Sequence, residues 1–194
     1  MGPYHAIMVH FPVAFWTVAA GAIVLRSLTD RPLARAFDRV LVACLVVGEF
    51  TGLVAYVLGQ LVWPPDTLQA TPLGRNHMLA ATWSLVYFGA VLFLRWRAGE
   101  RVWDGPVNRL VMLLLGSLGA VLLAITGTLG GHLHGAPARL SELLKMIGLN
   151  VYQTFYLPNW MLGVVAMAIV ALLALGMTGA RRPAVSIQQQ EGST

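Results

Sequence analysis

The sequence predicts an all-α integral membrane bundle of five transmembrane helices, and three features predict it. Of 194 residues, 57% are hydrophobic and 11% charged, with a mean hydropathy of +0.70, which excludes an ordinary soluble domain. Five apolar runs, at about 6–25, 40–63, 77–94, 110–131 and 160–179, are each long enough to cross a hydrocarbon core as a helix. Ten of the thirteen Lys and Arg residues flank alternate ends of those runs. Arg26, Arg31, Arg35 and Arg39 border the first connection, Arg95, Arg97, Arg101 and Arg109 the third, and Arg181 and Arg182 follow the last run. The second connection holds only Arg75, and the long fourth one only Arg139 and Lys145. Short basic loops resist translocation. The N-terminus is therefore expected outside, the C-terminus in the cytoplasm, and the chain in a bacterial inner membrane as a multi-pass protein.

The isoelectric point near 10.0 is then topogenic charge that also suits anionic lipid, and no basic groove for nucleic acid is visible. Cys44 is the only cysteine, which excludes an intrachain disulfide and covalent c-type haem attachment. The chain divides into a four-helix membrane core (1–135), an external loop with a short amphipathic helix (136–157), a fifth transmembrane helix (158–180) and a polar cytoplasmic tail (181–194) expected to lack a fixed fold.

The first run has no basic region before it and no small-residue cleavage site after it, so it is expected to be retained rather than removed as a signal peptide. It contains Val9-His10-Phe11-Pro12, and Pro12, lacking an amide hydrogen, either sits in the first regular turn or kinks the helix and frees the Met8 carbonyl. The second run carries Glu49, Gly52, Tyr56 and Gln60 at offsets that share one helical face, which cannot comfortably meet lipid. The third opens with Asn76 as a plausible N-cap and His77 in its first turn. The fourth displays Gly116, Ala120, Ala124, Gly127 and Gly131 as a small-residue ridge that a helix or flat cofactor can approach closely, then ends in His132-Leu133-His134. After Pro137, Leu140, Leu143, Leu144 and Ile147 repeat at amphipathic spacing, which predicts a lid or docking helix on the external surface. Tyr152, Phe155, Tyr156 and Trp160 read as an interfacial belt fixing the last helix.

All five histidines, His5, His10, His77, His132 and His134, fall at the same end of their apolar segments. Imidazole ligates haem iron, zinc, copper and non-haem iron, so this clustering points to one metal or haem site near the external face. His5 and His10 are five residues apart, roughly 140° around a helix, and would need a kink to share one small ion. His132 and His134, two apart, suit chelation from an extended turn. A zinc hydrolase is disfavoured because the external segments supply only Asp66 and Glu142 as carboxylates, and no serine or cysteine triad is convincing. Glu49, the one acidic residue inside an apolar run, either packs helices in neutral form or makes a proton or quinone contact along a path through Tyr56 and Gln60.

With Tyr4-His5-Ala6-Ile7-Met8-Val9-His10-Phe11-Pro12, the glycines of the second run, His77 heading the third and Gly127-Thr128-Leu129-Gly130-Gly131 closing the fourth, the chain resembles the bacterial membrane family catalogued as domain of unknown function 2231. The resemblance covers roughly residues 5–135 and implies a four-helix membrane core, with the fifth helix an addition. The family pattern His-Pro-x-x-Val-His-Phe-Pro falls on His5 and His10, with Ala6 in place of its first proline. After Gly130-Gly131 the family commonly continues Leu-Val-Tyr, where this chain has His132-Leu133-His134-Gly135. The resemblance implies redox association, because similar domains occur beside cytochrome modules, and so favours b-type haem over transport.

The resulting expectation is a membrane b-type cytochrome-like electron-transfer subunit with one haem b near the external face, inside a larger respiratory or oxidoreductase complex. Its iron ligands are sought first in His10 and His77, then in His132 and His134, with His5 in a supporting position. The expected partners are the lipid bilayer, membrane and periplasmic redox subunits such as a c-type cytochrome, and quinone. The alternatives are a cofactor-free anchor or assembly subunit, and a copper-, iron- or zinc-binding membrane protein. The charge pattern makes a direct prediction: in a Cys44→Ala background, Arg31→Cys should react with an impermeant thiol reagent only from the cytoplasmic side and Leu68→Cys only from the outside. Reaction of Leu68→Cys from the cytoplasm would reverse the topology.

Overall fold

The computed structural model describes residues 2–148, 150–153 and 159–179, and every regular element among them is helical. Four stretches, Gly2–Leu28, Pro32–Val62, Pro72–Trp103 and Gly105–Leu133, are long and apolar enough to cross a membrane. The chain is a multi-pass helical membrane protein in architecture, and each stretch begins four to eight residues before its apolar run, where polar residues continue the helix.

The first stretch is two helices, α1 (Gly2–Met8) and α2 (His10–Leu28), separated at Val9. Pro12 supplies no amide to the Met8 carbonyl, and the ladder resumes with Val13 N–H donating to the Val9 carbonyl at 3.3 Å. α3 (Pro32–Val62) starts on a proline at its first position, and Trp63, held extended before Pro64, ends it. The short α4 (Pro65–Gln69) leads to α5 (Pro72–Ala98). The expected N-cap Asn76 is corrected here. α5 begins earlier, with Pro72 at its first position and Thr71 as the cap, its hydroxyl accepting from Gly74 N–H at 3.1 Å, so Asn76 lies buried inside the helix. A 3-10 turn, Gly99–Trp103, joins α5 to α6 (Gly105–Leu133).

α6 closes on a Schellman cap, in which Ala136 N–H donates to Gly131 O at 2.9 Å and Gly135 N–H to His132 O at 3.1 Å. That arrangement requires φ of +71° at position 135, which glycine supplies. His132 is therefore inside the last helical turn and His134 is the capping residue, not both in an extended turn as the spacing suggested.

The helices α2, α3, α5 and α6 form a closed ring of antiparallel neighbours, with α1 against α3. At its centre the Trp16 indole stacks on Phe88 with ring centroids 4.7 Å apart and planes 8° from parallel. Gly48 and Gly52 make the notch for it, since a methyl group at either would stand 2.6 Å from the indole. Ile23, Leu41, Leu45, Tyr87, Met112 and Leu115 complete this core. Many large apolar side chains outside it are exposed, Phe50, Val86 and Trp96 among them, as a lipid-facing surface requires.

One end of the ring is tied by charge. Arg95 donates to both oxygens of Asp38 at 3.1 and 3.2 Å, and Trp103 Nε1 donates to the same carboxylate at 3.2 Å. Arg26 and Arg109 both pair with Asp30, and the Arg26 guanidinium lies 5.6 Å from the Trp103 ring centre. Arginines that the sequence offers as topogenic charge thus also fasten α2, α3, α5 and α6 together.

The amphipathic helix is α7 (Arg139–Met146). Its apolar side chains Leu140, Leu143 and Met146 are exposed and Ser141 is its buried residue, so the apolar face is not packed on the bundle. The fifth run is α8 (Asn159–Gly179), whose apolar stretch Gly163–Thr178 is shorter than the other four. It leans on α5 and α6 through Ile169 and the close approach of Gly176 to Leu94. Phe155 and Tyr156 of the expected belt, and the tail from position 180, lie outside the described residues.

The packing predicts two contrasts in stability, read from the unfolding midpoint in detergent. Gly48→Leu should destabilise by about 1–3 kcal/mol through overpacking, while Gly21→Leu, where nothing lies within 4 Å, should not. Asp38→Ala should cost about 3–5 kcal/mol, because Arg95 is left buried without its counter-charge.

Candidate functional site: a histidine-lined cavity

The end of the ring opposite the ion pairs is hollow. A cavity of about 420 Å³ lies there, within the range of small-molecule sites, and its lining comes from α1, α2, α3, α5 and α6. Its walls follow helical periodicity. From α5 come His77, Ala81, Ser84 and Leu85, and from α6 Leu123, Thr126, Gly127, Gly130, Gly131 and His134. Trp16, seated on its glycine notch, also lines it, so the core packing and the cavity share a side chain.

Four of the five histidines, His5, His10, His77 and His134, line this one space. His5 is buried, and its Nδ1 donates to the Ala55 carbonyl of α3 at 2.9 Å. Gly59 permits that approach, since a methyl there would stand 3.0 Å from the ring. His10 Nδ1 donates to Ala6 O at 2.7 Å and His134 Nδ1 to Gly130 O at 3.0 Å, each one turn back along its own chain. A carbonyl cannot donate, so all three neutral rings carry the proton on Nδ1 and leave the Nε2 lone pair free. Metal-binding imidazoles are held in this way, with one nitrogen fixed by the main chain and the other available.

His77 differs. Its ring faces the Thr126 backbone, its Cε1 lies against Gly130, and Nδ1 is buried with no partner. A buried, unpaired nitrogen costs about 1–3 kcal/mol, and the hydrogen bond of the ring to the Thr126 backbone holds it against α6.

His132 leaves the group. It is buried on the other side of α6, where Nδ1 lies 2.7 Å from the Tyr152 hydroxyl and the ring meets Tyr152 edge-on at 5.1 Å. On a helix, positions two apart face different ways. The joint chelation suggested for His132 and His134 is thus corrected. The kink needed for His5 and His10 to share a site is present as the break at Val9, and both reach the cavity.

His5 and His134 stack face to face, with centroids 6.0 Å apart and planes 20° from parallel, and Trp63 meets His134 edge-on at 5.9 Å. Among the described residues no three His, Cys, Asp or Glu side chains converge closely enough to hold one ion. The imidazoles are spread around a wall rather than focused on a point.

Glu49 does not line the cavity. It faces α5, with Oε1 3.1 Å from the position a methyl on Gly89 would take and Oε2 buried without a partner. Of the residues grouped with it, Tyr56 lines the cavity and its hydroxyl lies 3.1 Å from Thr82 Oγ1, while Gln60 is partly buried outside it. Sequence reasoning missed Ser84 and Thr126, whose hydroxyls meet at 3.0 Å in the wall. Extending the His77 face by seven residues, or the His134 face back by eight, would have found both.

Apolar helices of spanning length around a histidine-lined cavity place the chain in the class of multi-pass helical membrane proteins. The family model for DUF2231, described as a predicted membrane protein, matches residues 1–136, and the chain belongs to that family. The matched region ends on Ala136, the last residue of the α6 cap, and takes in every residue that lines the cavity. No curated protein and no solved structure matches the chain.

The exposures predict an order of chemical modification. Diethyl pyrocarbonate should modify the exposed His10 and His134 first, with His5 and His132, 8% and 9% exposed, and the partly buried His77 lagging. Peptide mass spectrometry over a time course reads the order, and modification of His5 as fast as His10 would contradict the placement.

Proposed function

We propose that this protein is a membrane b-type cytochrome-like subunit that holds one haem b in the histidine-lined cavity and serves electron transfer in a larger redox complex. One observation carries the reading: three imidazoles around a single apolar cavity have Nδ1 hydrogen-bonded to main-chain carbonyls and Nε2 free, beside a fourth with an unpaired nitrogen. A flat group that needs one or two imidazoles and wide apolar contact suits ligands spread around a wall better than a bare copper, iron or zinc ion does. Bound haem supplies one-electron chemistry. The chain's residues supply ligation, an apolar enclosure through Trp16, Leu85 and Leu123, and separation from water.

His77 and His10 are the first-choice ligand pair, since they come from separate helices and both line the cavity. His5 and His134, which stack on each other, would hold the group less readily. In this reading α8 is a fifth span, the N-terminus and the cavity end lie outside the bacterial inner membrane, and a periplasmic c-type cytochrome exchanges electrons there. Quinone is the membrane-side partner, with Glu49 beside α5 as its nearest carboxylate.

A pyridine haemochrome spectrum with metal analysis on purified protein tests the proposal. The expected result is about one b-type haem per chain with a low-spin spectrum. His77→Ala or His10→Ala should lose haem or turn it high-spin, and His132→Ala, outside the cavity, should keep it. Protein that assembles without haem would leave the anchor reading in its place, and haem unchanged by both substitutions would overturn the ligand pair.

A further inference from the structure

We infer that the cavity opens sideways into the bilayer between α2 and α6, with Gly127 as the sill, and that its occupant is an apolar molecule taken from the hydrocarbon phase. The inference rests on the cavity that underlies the haem reading, but not on haem being the occupant.

The other three seams around the cavity are closed by side chains. Between α1 and α3, His5 is bonded to Ala55 and pressed on Gly59. Between α5 and α6, His77 lies against Gly130 and Ser84 against Thr126. Between α3 and α5, Tyr56 meets Thr82, and Leu85 comes within 3.3 Å of the position a methyl on Gly52 would take.

The seam between α2 and α6 is tight only at its far end, where Gly116 receives Ile23 and Val24. Toward the cavity, Gly127 is exposed and a methyl added there would meet nothing within 4 Å, yet Gly127 lines the cavity. Val13, also part of the lining, is 40% exposed. On α6 the exposed Ala124 and Ala120 share the helical face of Gly127, and on α2 the exposed Thr17 shares that of Val13.

Depth places the opening among acyl chains. Gly127 precedes the helix cap at His134 by seven residues, about 10 Å at 1.5 Å per residue. The 29 residues of α6 overhang a hydrocarbon core of about 30 Å by only some 7 Å at each end when centred. The sill thus lies below the headgroups. The lining of the cavity below that level is almost wholly apolar, with the Ser84 and Thr126 hydroxyls already spent on their own helices at Ala80 and Leu122. A molecule dissolved in the hydrocarbon phase crosses no polar barrier to reach it.

A lipid-soluble aryl diazirine, partitioned into vesicles holding the full chain freed of any haem and activated by light, reports access whatever the native guest. The expected result is adducts on the buried wall residues Trp16 and Ser84 of the wild-type protein, mapped by mass spectrometry. Gly127→Trp should reduce those adducts at least tenfold relative to adducts on the lipid-facing Val86, while Gly21→Leu leaves them unchanged. Gly127→Leu serves if the larger side chain lowers the unfolding midpoint. Absence of wall adducts in the wild type, or adducts that persist when Gly127 is filled, would overturn the inference, the second outcome placing access at the His10 and His134 end. If the portal result holds and the haemochrome result fails, the cavity takes another apolar guest and only the haem reading falls.

Discussion

Inside a bilayer a polar side chain has no water to turn to, so a donor left without an acceptor in the protein is costly. The arrangement of the histidine end follows from that constraint. The Nδ1 hydrogens of His5, His10 and His134 are given to main-chain carbonyls, and the choice fixes tautomer and ring orientation together. A helix carbonyl one turn back is always close by, which is how His10 and His134 are held. His5 reaches further, across to α3, and the absence of a side chain at Gly59 is what lets it do so. The remaining Nε2 lone pairs are a consequence of satisfying the hydrogens.

The two ends of the ring solve the same problem in different ways. At one end Asp38, Arg95 and Trp103 neutralise one another within the bundle, and Asp30 joins Arg26 to Arg109, so four helices are clamped. A buried ion pair adds little net stability by itself but penalises any register that separates its members. At the other end the helices are held apart. Trp16 in the Gly48 and Gly52 notch sits between the two regimes: it fills the core on the Phe88 side and lines the cavity above. Glycines set how close each pair of helices comes, tight at Gly116 and Gly119 and open at Gly127.

The helical membrane architecture was legible in the sequence because hydropathy and the cost of bare backbone in lipid act on the chain alone. The gathering of histidines at one end was legible for the same reason, since helix ends fix depth. What one sequence does not display is azimuth. His132 and His134 are near neighbours in the chain but face opposite sides of α6 once the helix runs through His132, and the Tyr152 contact marks the side that His132 takes. Asp38 precedes the apolar run that begins at about position 40, but α3 starts six residues before Asp38, at Pro32, and carries it into the bundle. Asn76 was mistaken for a cap because Pro72, at the true first position, is preceded by a less conspicuous Thr71. The family match agrees with the membrane core and stops where the cavity lining stops, with α7 and α8 beyond the matched region.

The central claim is that the main chain holds His5, His10 and His134 with Nε2 free to face a guest. Two-bond proton–nitrogen correlation on protein labelled with nitrogen-15 histidine distinguishes the two neutral tautomers at each ring. The account predicts the Nδ1–H form at His5, His10 and His134 in protein freed of any guest, with Nε2 shifting when the cavity is loaded. The Nε2–H form at His5, whose Nδ1 is the one bonded across to another helix, would contradict it.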